Sequence, residues 1–467
     1  MDSRGIDSLS DELWAAIFST LSKPRDLFAA AAVSKACRRA FDSNATQLLL
    51  ALESSPSVQP YQRVNGTIEP SALGRVKALQ STRSAWRQNI CASQLINFEN
   101  YVRVVKVVWE PSPYMLIGMY NGCVAAASMD GSWQCLLPGR HLVGQAIALD
   151  AAGGYIISGS GEPSYHGPTP CADATMLFIA CPGPPWLGSY APVVVHQFGR
   201  VDGGHADSIF AIRKLDDYHV ASAGADAQLL VWRLDAVSPS AKCRTASTTS
   251  PSVVTKLVGH TAAIRALILV DENTLLSCGH DANIIEWAWR EGKPLRRLLG
   301  PDEMRPCTPR IAHPLSALSY HAQTRTLAVG DQIGCCRIFR LEPASSASSN
   351  GRNLVLLSES NDSQTVHSKL PPSARHEVAT IQHDGDKIVY GTRSGHLRVC
   401  WMSLPESGGE EEVTSLTGDG FGTCASMRVR LYISSVAYRG DTLVADGFDN
   451  QVLVLRHERP AQLNPTV

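Results

Sequence analysis

The spacing of apolar positions changes once along the chain. Over residues 6–41, IDSLSDELWAAIFSTLSKPRDLFAAAAVSKACRRAF, Leu13, Ile17 and Leu21 recur at i, i+4 and i+8, with Trp14 and Phe18 on the adjoining stripe. That is the period of a helix resting on a core. Ser10 caps this helix, and Asp11 and Glu12 suit its positive end. Lys23-Pro24 breaks it, Asp26 starts a second ahead of Leu27, and a third short stretch runs from Lys35 to Arg39. From residue 101 the period becomes two, in runs such as VVKVVW, YMLIGMYNG and CVAAASM bounded by turn residues, the signature of short strands. Between the two lies a connector. Pro56, Pro60 and Pro70 punctuate it, and SALGRVKALQSTRSAWRQNI then has helical spacing through Leu73, Val76, Leu79 and Trp86. This stretch reads either as a helical spacer or as a loose tether. The expected organisation is a small three-helix module over 6–50, a linker with a helix over 51–100, and a β region over 101–456.

Two segments of the β region fall into register: GHADSIFAIRKLDDYHVASAGADAQLLVW and GHTAAIRALILVDENTLLSCGHDANIIEW. The offset from His205 to Asp226 equals that from His260 to Asp281, and the step from Asp226 to Trp232 equals that from Asp281 to Trp287. Matching offsets of this kind mark a repeat architecture. Five further segments repeat the alternating pattern without the motif. Aligning their turn positions with the first two gives Asn121, Asp173, Asp226, Asp281, Ile333, Ser394 and Asp449, a nearly even series. Seven units suit a closed ring, which removes exposed sheet edges. Longer polar stretches at 181–192, 236–252, 343–352 and 405–412, each after a third strand, are expected to be solvated linkers on the face opposite the Gly-His loops.

These residues resemble the WD-repeat family, and the resemblance implies a seven-bladed β-propeller. It also implies a buried relay joining a loop histidine, a strand serine, a turn aspartate and a strand tryptophan. Here these are His205, Ser222, Asp226 and Trp232 in one blade and His260, Ser277, Asp281 and Trp287 in the next. Such residues are structural pins and not catalysts. In the family the residue before the turn aspartate often points into a binding face. Those positions are Tyr120, Ala172, Ala225, His280, Gln332, Arg393 and Phe448, and Arg305, Arg310, Arg375 and Arg428 are expected on the same side. Tyr120, His280, Arg393 and Phe448, with Arg310 and Arg375, are therefore the expected target contacts. Arginines there suit an acidic or phosphorylated segment.

The helical module resembles the F-box, the motif that binds a Skp-type adaptor. The matching residues are Leu9, Asp11-Glu12-Leu13, Ile17-Phe18, Leu21, Pro24-Arg25-Asp26-Leu27, Val33-Ser34-Lys35 and Arg38-Arg39; Ser10 and Cys37 stand where the family usually has proline and tryptophan. The resemblance implies that Leu9, Leu13, Ile17, Phe18, Leu21, Pro24, Leu27 and Val33 contact the adaptor or form the module's core. Together the two resemblances imply the substrate-recognition subunit of a cullin-type ubiquitin ligase, with the adaptor and cullin on the F-box and a protein target on the propeller. The alternative is a non-catalytic WD-repeat scaffold in a fixed complex unrelated to ubiquitin.

Charge and composition narrow the partners. Forty-two basic residues face 43 acidic ones, a net of −1, which argues against nucleic acid. No run of 18 apolar residues occurs, and the acidic start MDSRGIDSLSDELW has no apolar signal region, so neither membrane nor secretion is expected. Thirteen scattered cysteines suit an intracellular compartment, cytoplasmic or nuclear, with reduced thiols. No catalytic motif emerges: HEVATIQH lacks the zinc-protease histidine pair, SGSGEPSYHG has no following helix, and Cys335-Cys336 point to opposite faces of a strand. No enzyme activity, metal or cofactor is expected.

Overall fold

The computed structural model describes residues 91–457 except 111, 142–143, 153, 162–173, 181–192, 235–250, 300–312, 343–353, 362–376, 386, 402–424, 429–432 and 449. The expected three-helix module and the linker up to residue 90 lie outside the described residues, as do Ala172, Asp173, Arg305, Arg310, Arg375 and Asp449. Compactness separates a ring, Ser93–Tyr438 with Leu443–Leu455, from a smaller set at 91–92, 439–442 and 456–457. In that set the His457 amide donates to the Asp441 carbonyl at 2.8 Å.

Seven four-stranded sheets make the ring, and every strand pair of the first six is antiparallel. The first holds β2 (Val102–Val108), β3 (Tyr114–Met119), β4 (Cys123–Ser128) and β5 (Gln134–Arg140), and the second β6 (Gln145–Ala152), β7 (Tyr155–Gly161), β8 (Met176–Ala180) and β9 (Val193–Phe198). The third holds β10 (Ile209–Lys214), β11 (His219–Gly224), β12 (Leu229–Arg233) and β13 (Ser252–Leu257), and the fourth β14 (Ile264–Leu269), β15 (Thr274–Gly279), β16 (Ile284–Ala288) and β17 (Lys293–Leu299). The fifth holds β18 (Leu315–His321), β19 (Thr326–Asp331), β20 (Cys335–Leu341) and β21 (Leu354–Asn361), and the sixth β22 (Val378–His383), β23 (Lys387–Thr392), β24 (His396–Trp401) and β25 (Ala425–Arg428). The seventh combines β26 (Val436–Arg439), β27 (Thr442–Phe448) and β28 (Gln451–Arg456) with β1 (Ala92–Asn97) from the other end of the chain. The mainly β, seven-bladed expectation is met.

Strand β1 lies within the segment read as linker. Its sequence ASQLIN buries only Ile96, so the alternation that betrays other strands is missing. Phe98 and Asn450 extend the pairing: the Phe98 amide donates to the Asn450 carbonyl at 2.7 Å, and Asn450 Nδ2 returns a bond to the Phe98 carbonyl at 3.1 Å. The outer edge of the last blade is thus completed by the first strand of the ring.

The core is a series of layers between neighbouring blades. Leu276, Cys278 and Ile284 of the fourth blade pack on Leu315, Leu327, Val329 and Phe339 of the fifth. Val444, Val452 and Val454 of the seventh pack on Val105, Met115 and Ile117 of the first. Close approach of blades sets some residue types. A Cβ at Gly330 would stand 2.5 Å from Val378 Cγ1 of the next blade, so only glycine admits that strand.

Inner strands of adjacent blades belong to different sheets, so the backbone groups they present to each other need other partners. Polar side chains supply them. Asp150 Oδ2 accepts from the Lys214 amide at 2.9 Å, Ser319 Oγ from the His383 amide at 3.0 Å, and Ser435 Oγ from the Val105 amide at 2.8 Å. Gln382 does both jobs, accepting from the Tyr438 amide at 2.9 Å and donating to its carbonyl at 3.0 Å. These residues tie blades 2 to 3, 5 to 6, 6 to 7 and 7 to 1.

Candidate recognition face

The relays define which face of the ring is which. His205 lies in the connection between β9 and β10, and Asp226 in the turn between β11 and β12. Trp232 Nε1 donates to Ser222 Oγ at 2.7 Å, Ser222 Oγ lies 2.7 Å from His205 Nε2, and His205 Nδ1 is 3.1 Å from both Asp226 oxygens. The indole can only donate, so the serine hydroxyl passes its own proton to Nε2, and Nδ1–H goes to the carboxylate. The fourth blade repeats this: Trp287 Nε1 to Ser277 Oγ 2.8 Å, Ser277 Oγ to His260 Nε2 2.6 Å, and His260 Nδ1 to Asp281 Oδ2 2.9 Å. Amides of Thr261 and Asn283 also donate to Asp281. Burial alone would raise its carboxyl, but the His260 bond and these amides outweigh burial and hold it at about 2. In each of the two blades the fold brings the four relay residues within hydrogen-bonding distance, the arrangement that the WD-repeat resemblance implies.

A third relay escaped the pattern. In the second blade His141 Nε2 lies 2.8 Å from Ser158 Oγ, and Nδ1 lies 2.7 Å from Thr175 Oγ1. A threonine stands in for the aspartate, and the segment 162–173 stretches the count to it. The 17-residue gap from histidine to serine, common to all three blades, is the signal that finds it. The fifth blade departs further. The buried anchor there is Asp331, just ahead of the aligned Ile333, and Arg337 Nη1 donates to it at 2.8 Å.

Five of the residues expected to precede a turn occupy equivalent places. The amides of Tyr120, Ala225, His280, Gln332 and Arg393 donate to the carbonyls of Tyr101, Ser208, Ala263, Pro314 and Glu377, at 2.9, 2.8, 2.8, 3.0 and 3.0 Å. Each bond joins the turn after a blade's second strand to the residue entering its first, so all five share the face of the relay loops. Phe448 ends β27, and Arg428 ends β25 just before the segment leading into the seventh blade.

Their surroundings differ. Tyr120 is 55% exposed and meets Tyr101, 57% exposed, edge-on with centroids 6.4 Å apart. His280 Nε2 lies 3.0 Å from Gln332 Nε2. The amide nitrogen can only donate, so Nε2 carries the lone pair and the ring is neutral. Burial, reinforced by Arg265 and opposed by Asp281, brings His280 down to about 4. Arg393 is not a free surface cation. Its Nε sits 2.5 Å from Glu377 Oε2, with side-chain exposures of 11% and 5%. Arg265 Nη2 reaches Oε1 of the same carboxylate at 3.5 Å while its guanidinium stacks over Phe210 at 4.1 Å. One buried carboxylate thus bridges guanidinium groups from the fourth and sixth blades. Burial, and next the like charge of Arg103, pull Arg393 down to about 9, which leaves it a cation at neutral pH. Burial pushes Glu377 up, against the pull of Arg265.

Among the described residues, no group of three or more His, Cys, Asp or Glu comes together to hold a metal ion. No helix among them is long and apolar enough to cross a membrane.

No protein-family model matches the sequence, and no curated protein is similar to it. Solved structures do match in shape. The structure of U3-55K superposes with a TM-score of 0.52 at 14% identity, covering 78% of this chain and 98% of that one. The RRP9 WD40 repeats give 0.51 at 14% identity, covering 78% and 97%. The chain carries a WD40-type propeller. At this identity the likeness establishes the fold alone.

Proposed function

We propose that the ring is a non-catalytic protein-recognition scaffold that binds its partner on the relay-loop face. The observation that carries this reading is the set of five equivalent turn positions on one face. That face carries an exposed tyrosine pair in the first blade and a partly buried arginine in the sixth, residue types favoured at interface hot spots, with His280 in the fourth. Tyr101→Ala with Tyr120→Ala should reduce capture of protein partners from a lysate, with melting temperature held. Capture unchanged by that pair would remove the face from consideration.

A finer reading rests on Leu9, Leu13, Ile17, Phe18, Leu21, Pro24, Leu27 and Val33. By their resemblance to the F-box, these residues hold a Skp-type adaptor and, through it, a cullin in an intracellular ligase. The propeller then raises the concentration of target lysines beside the ubiquitin-charged enzyme, without chemistry of its own. Ile17→Asp with Phe18→Asp should abolish capture of adaptor and cullin while the ring stays folded. Capture that survives the pair would leave the scaffold reading alone.

A further inference from the structure

The Glu377 carboxylate does what an acidic ligand would do. It enters a fork made by Arg265 and Arg393, two guanidinium groups carried by non-adjacent blades at the relay-loop face. Arg265 is held from behind by Phe210, so the fork is set in place by packing and not by the carboxylate alone. Both contacts are ion pairs, the one to Arg393 Nε at 2.5 Å and the one to Arg265 Nη2 longer, at 3.5 Å. Neither Glu377 Oε1 nor Arg265 Nε has a hydrogen-bond partner. A single carboxylate therefore occupies a two-cation fork and leaves its Arg265 side loosely held. The carboxylate carries a burial penalty that its partners do not fully offset, as the upward push on Glu377 indicates.

We infer that Glu377 is a resident stand-in for a ligand anion, and that the Arg265–Arg393 fork takes a carboxylate or phosphorylated side chain from an acidic segment of a protein partner, in competition with Glu377. The inference rests on the relay-loop face being the recognition face. Guanidinium groups pair with such anions through two parallel N–H donors. Glu377 leaves the Arg265 donors poorly engaged, so an incoming anion meets those donors and like-charge repulsion from Glu377 at once. The stand-in holds the fork ready and sets a threshold that only strongly anionic segments pass.

The test uses the full chain and fluorescein-labelled peptides in which glutamate alternates with glycine, with glutamine or phosphoserine replacing glutamate in parallel arms. Anisotropy should show the glutamate and phosphoserine peptides binding and the glutamine peptide not. The ratio of the first two tells which anion the fork prefers. Glu377→Gln, close to isosteric, should tighten binding by about tenfold or more, the scale expected when one opposing charge is removed. Arg265→Gln in that background should reverse the gain. If Glu377→Gln lowers solubility, Glu377→Asp, which draws the carboxylate back, should still tighten binding severalfold. Affinity for the acidic peptides that is absent, or unmoved by either Glu377 variant, would overturn the inference and make the cluster a structural plug. So would a single-stranded RNA of similar length binding as tightly. Partner capture that depends on Tyr120 but ignores Glu377 would sink this inference and leave the recognition face standing; capture indifferent to both would sink the two together.

Discussion

His141 and Ser158 stand 2.8 Å apart in the second blade, at the same sequence offset of 17 that joins His205 to Ser222 and His260 to Ser277. The other nitrogen of His141 meets a hydroxyl, Thr175, where the other two rings meet a carboxylate. A hydroxyl does little to stabilise an imidazolium, and burial holds His141 down to about 4. An unfolded histidine takes up its proton at ~6.5. The folded state resists that proton, so the stability His141 contributes is full above that pH and is lost as pH falls from there towards about 4. Thermal melts should fall across this window. His141→Gln should be less stable at pH 7.5 but lose less on going to pH 5. His280 and His383, also drawn down to about 4 by burial, keep part of the slope in that variant. An unchanged slope would show that His141 titrates normally.

Asp281 works in the same direction at lower pH. Its carboxyl is held at about 2 in the fold, against ~3.9 in an unfolded chain. Its contribution is present above the unfolded value and lost as pH falls from there towards about 2. Asp281→Ala strands the Nδ1–H of His260 in a buried site and should cost roughly 1 to 3 kcal/mol by denaturant titration at neutral pH. Partner capture per folded molecule should stay level. Selective loss of binding at unchanged stability would make the relay part of a site.

Ring closure can be tested within one strand. Ile96 is buried with Val452 and Val454 of the seventh blade, whereas its neighbour Leu95 is 45% exposed. Ile96→Asp should remove several kcal/mol or abolish the folded state, since it places a charge in an apolar layer. Leu95→Asp should leave the melting temperature within a degree or two, the range of ordinary surface changes. Equal effects at the two positions would contradict the register of this strand.

Reversing the charge of Arg393 has a structural consequence before any functional one. Arg393→Glu sets a second carboxylate against Glu377 and should lower the melting temperature clearly. Arg393→Glu combined with Glu377→Arg should recover part of the loss, giving a measurable coupling in a double-mutant cycle. Strict additivity would mean that the pair does not interact.

The seven-blade ring was legible because period-two alternation and recurring turns survive even where the motif does not. The relays were legible where all four residue types persist, as around Trp232 and Trp287. They were hidden where chemistry changed hands, as when Thr175 replaces an aspartate or Asp331 takes an arginine partner just ahead of the aligned turn. Strand β1 was hidden because an outer strand that buries one residue has almost no pattern to read. The surroundings of Arg393 were beyond local reading for another reason. Its partner Glu377 stands ahead of β22, a full hairpin earlier, and shares that carboxylate with Arg265, which lies two blades back on β14. Only folding brings three such residues together. The bridging residues Asp150, Ser319 and Gln382 look like ordinary polar interruptions of apolar strands, and Ser435 like a loop residue ahead of one, until the neighbouring blade is in place.

The pairing of the first strand with the last blade also sets an order in time. As the chain leaves the ribosome, β1 emerges before any of its partners, and Asn450 follows Phe98 at a sequence separation of 352. At roughly 5 to 20 residues per second, the growing ring stays open, with Ile96 unburied and the inner edge of the first blade uncovered, for tens of seconds. Closure is a late event made across a large sequence separation, which is slow by nature. The intermediate that precedes it exposes apolar layers at both free ends. The time for which those layers stay uncovered is therefore set by the sequence distance between β1 and its partner β28.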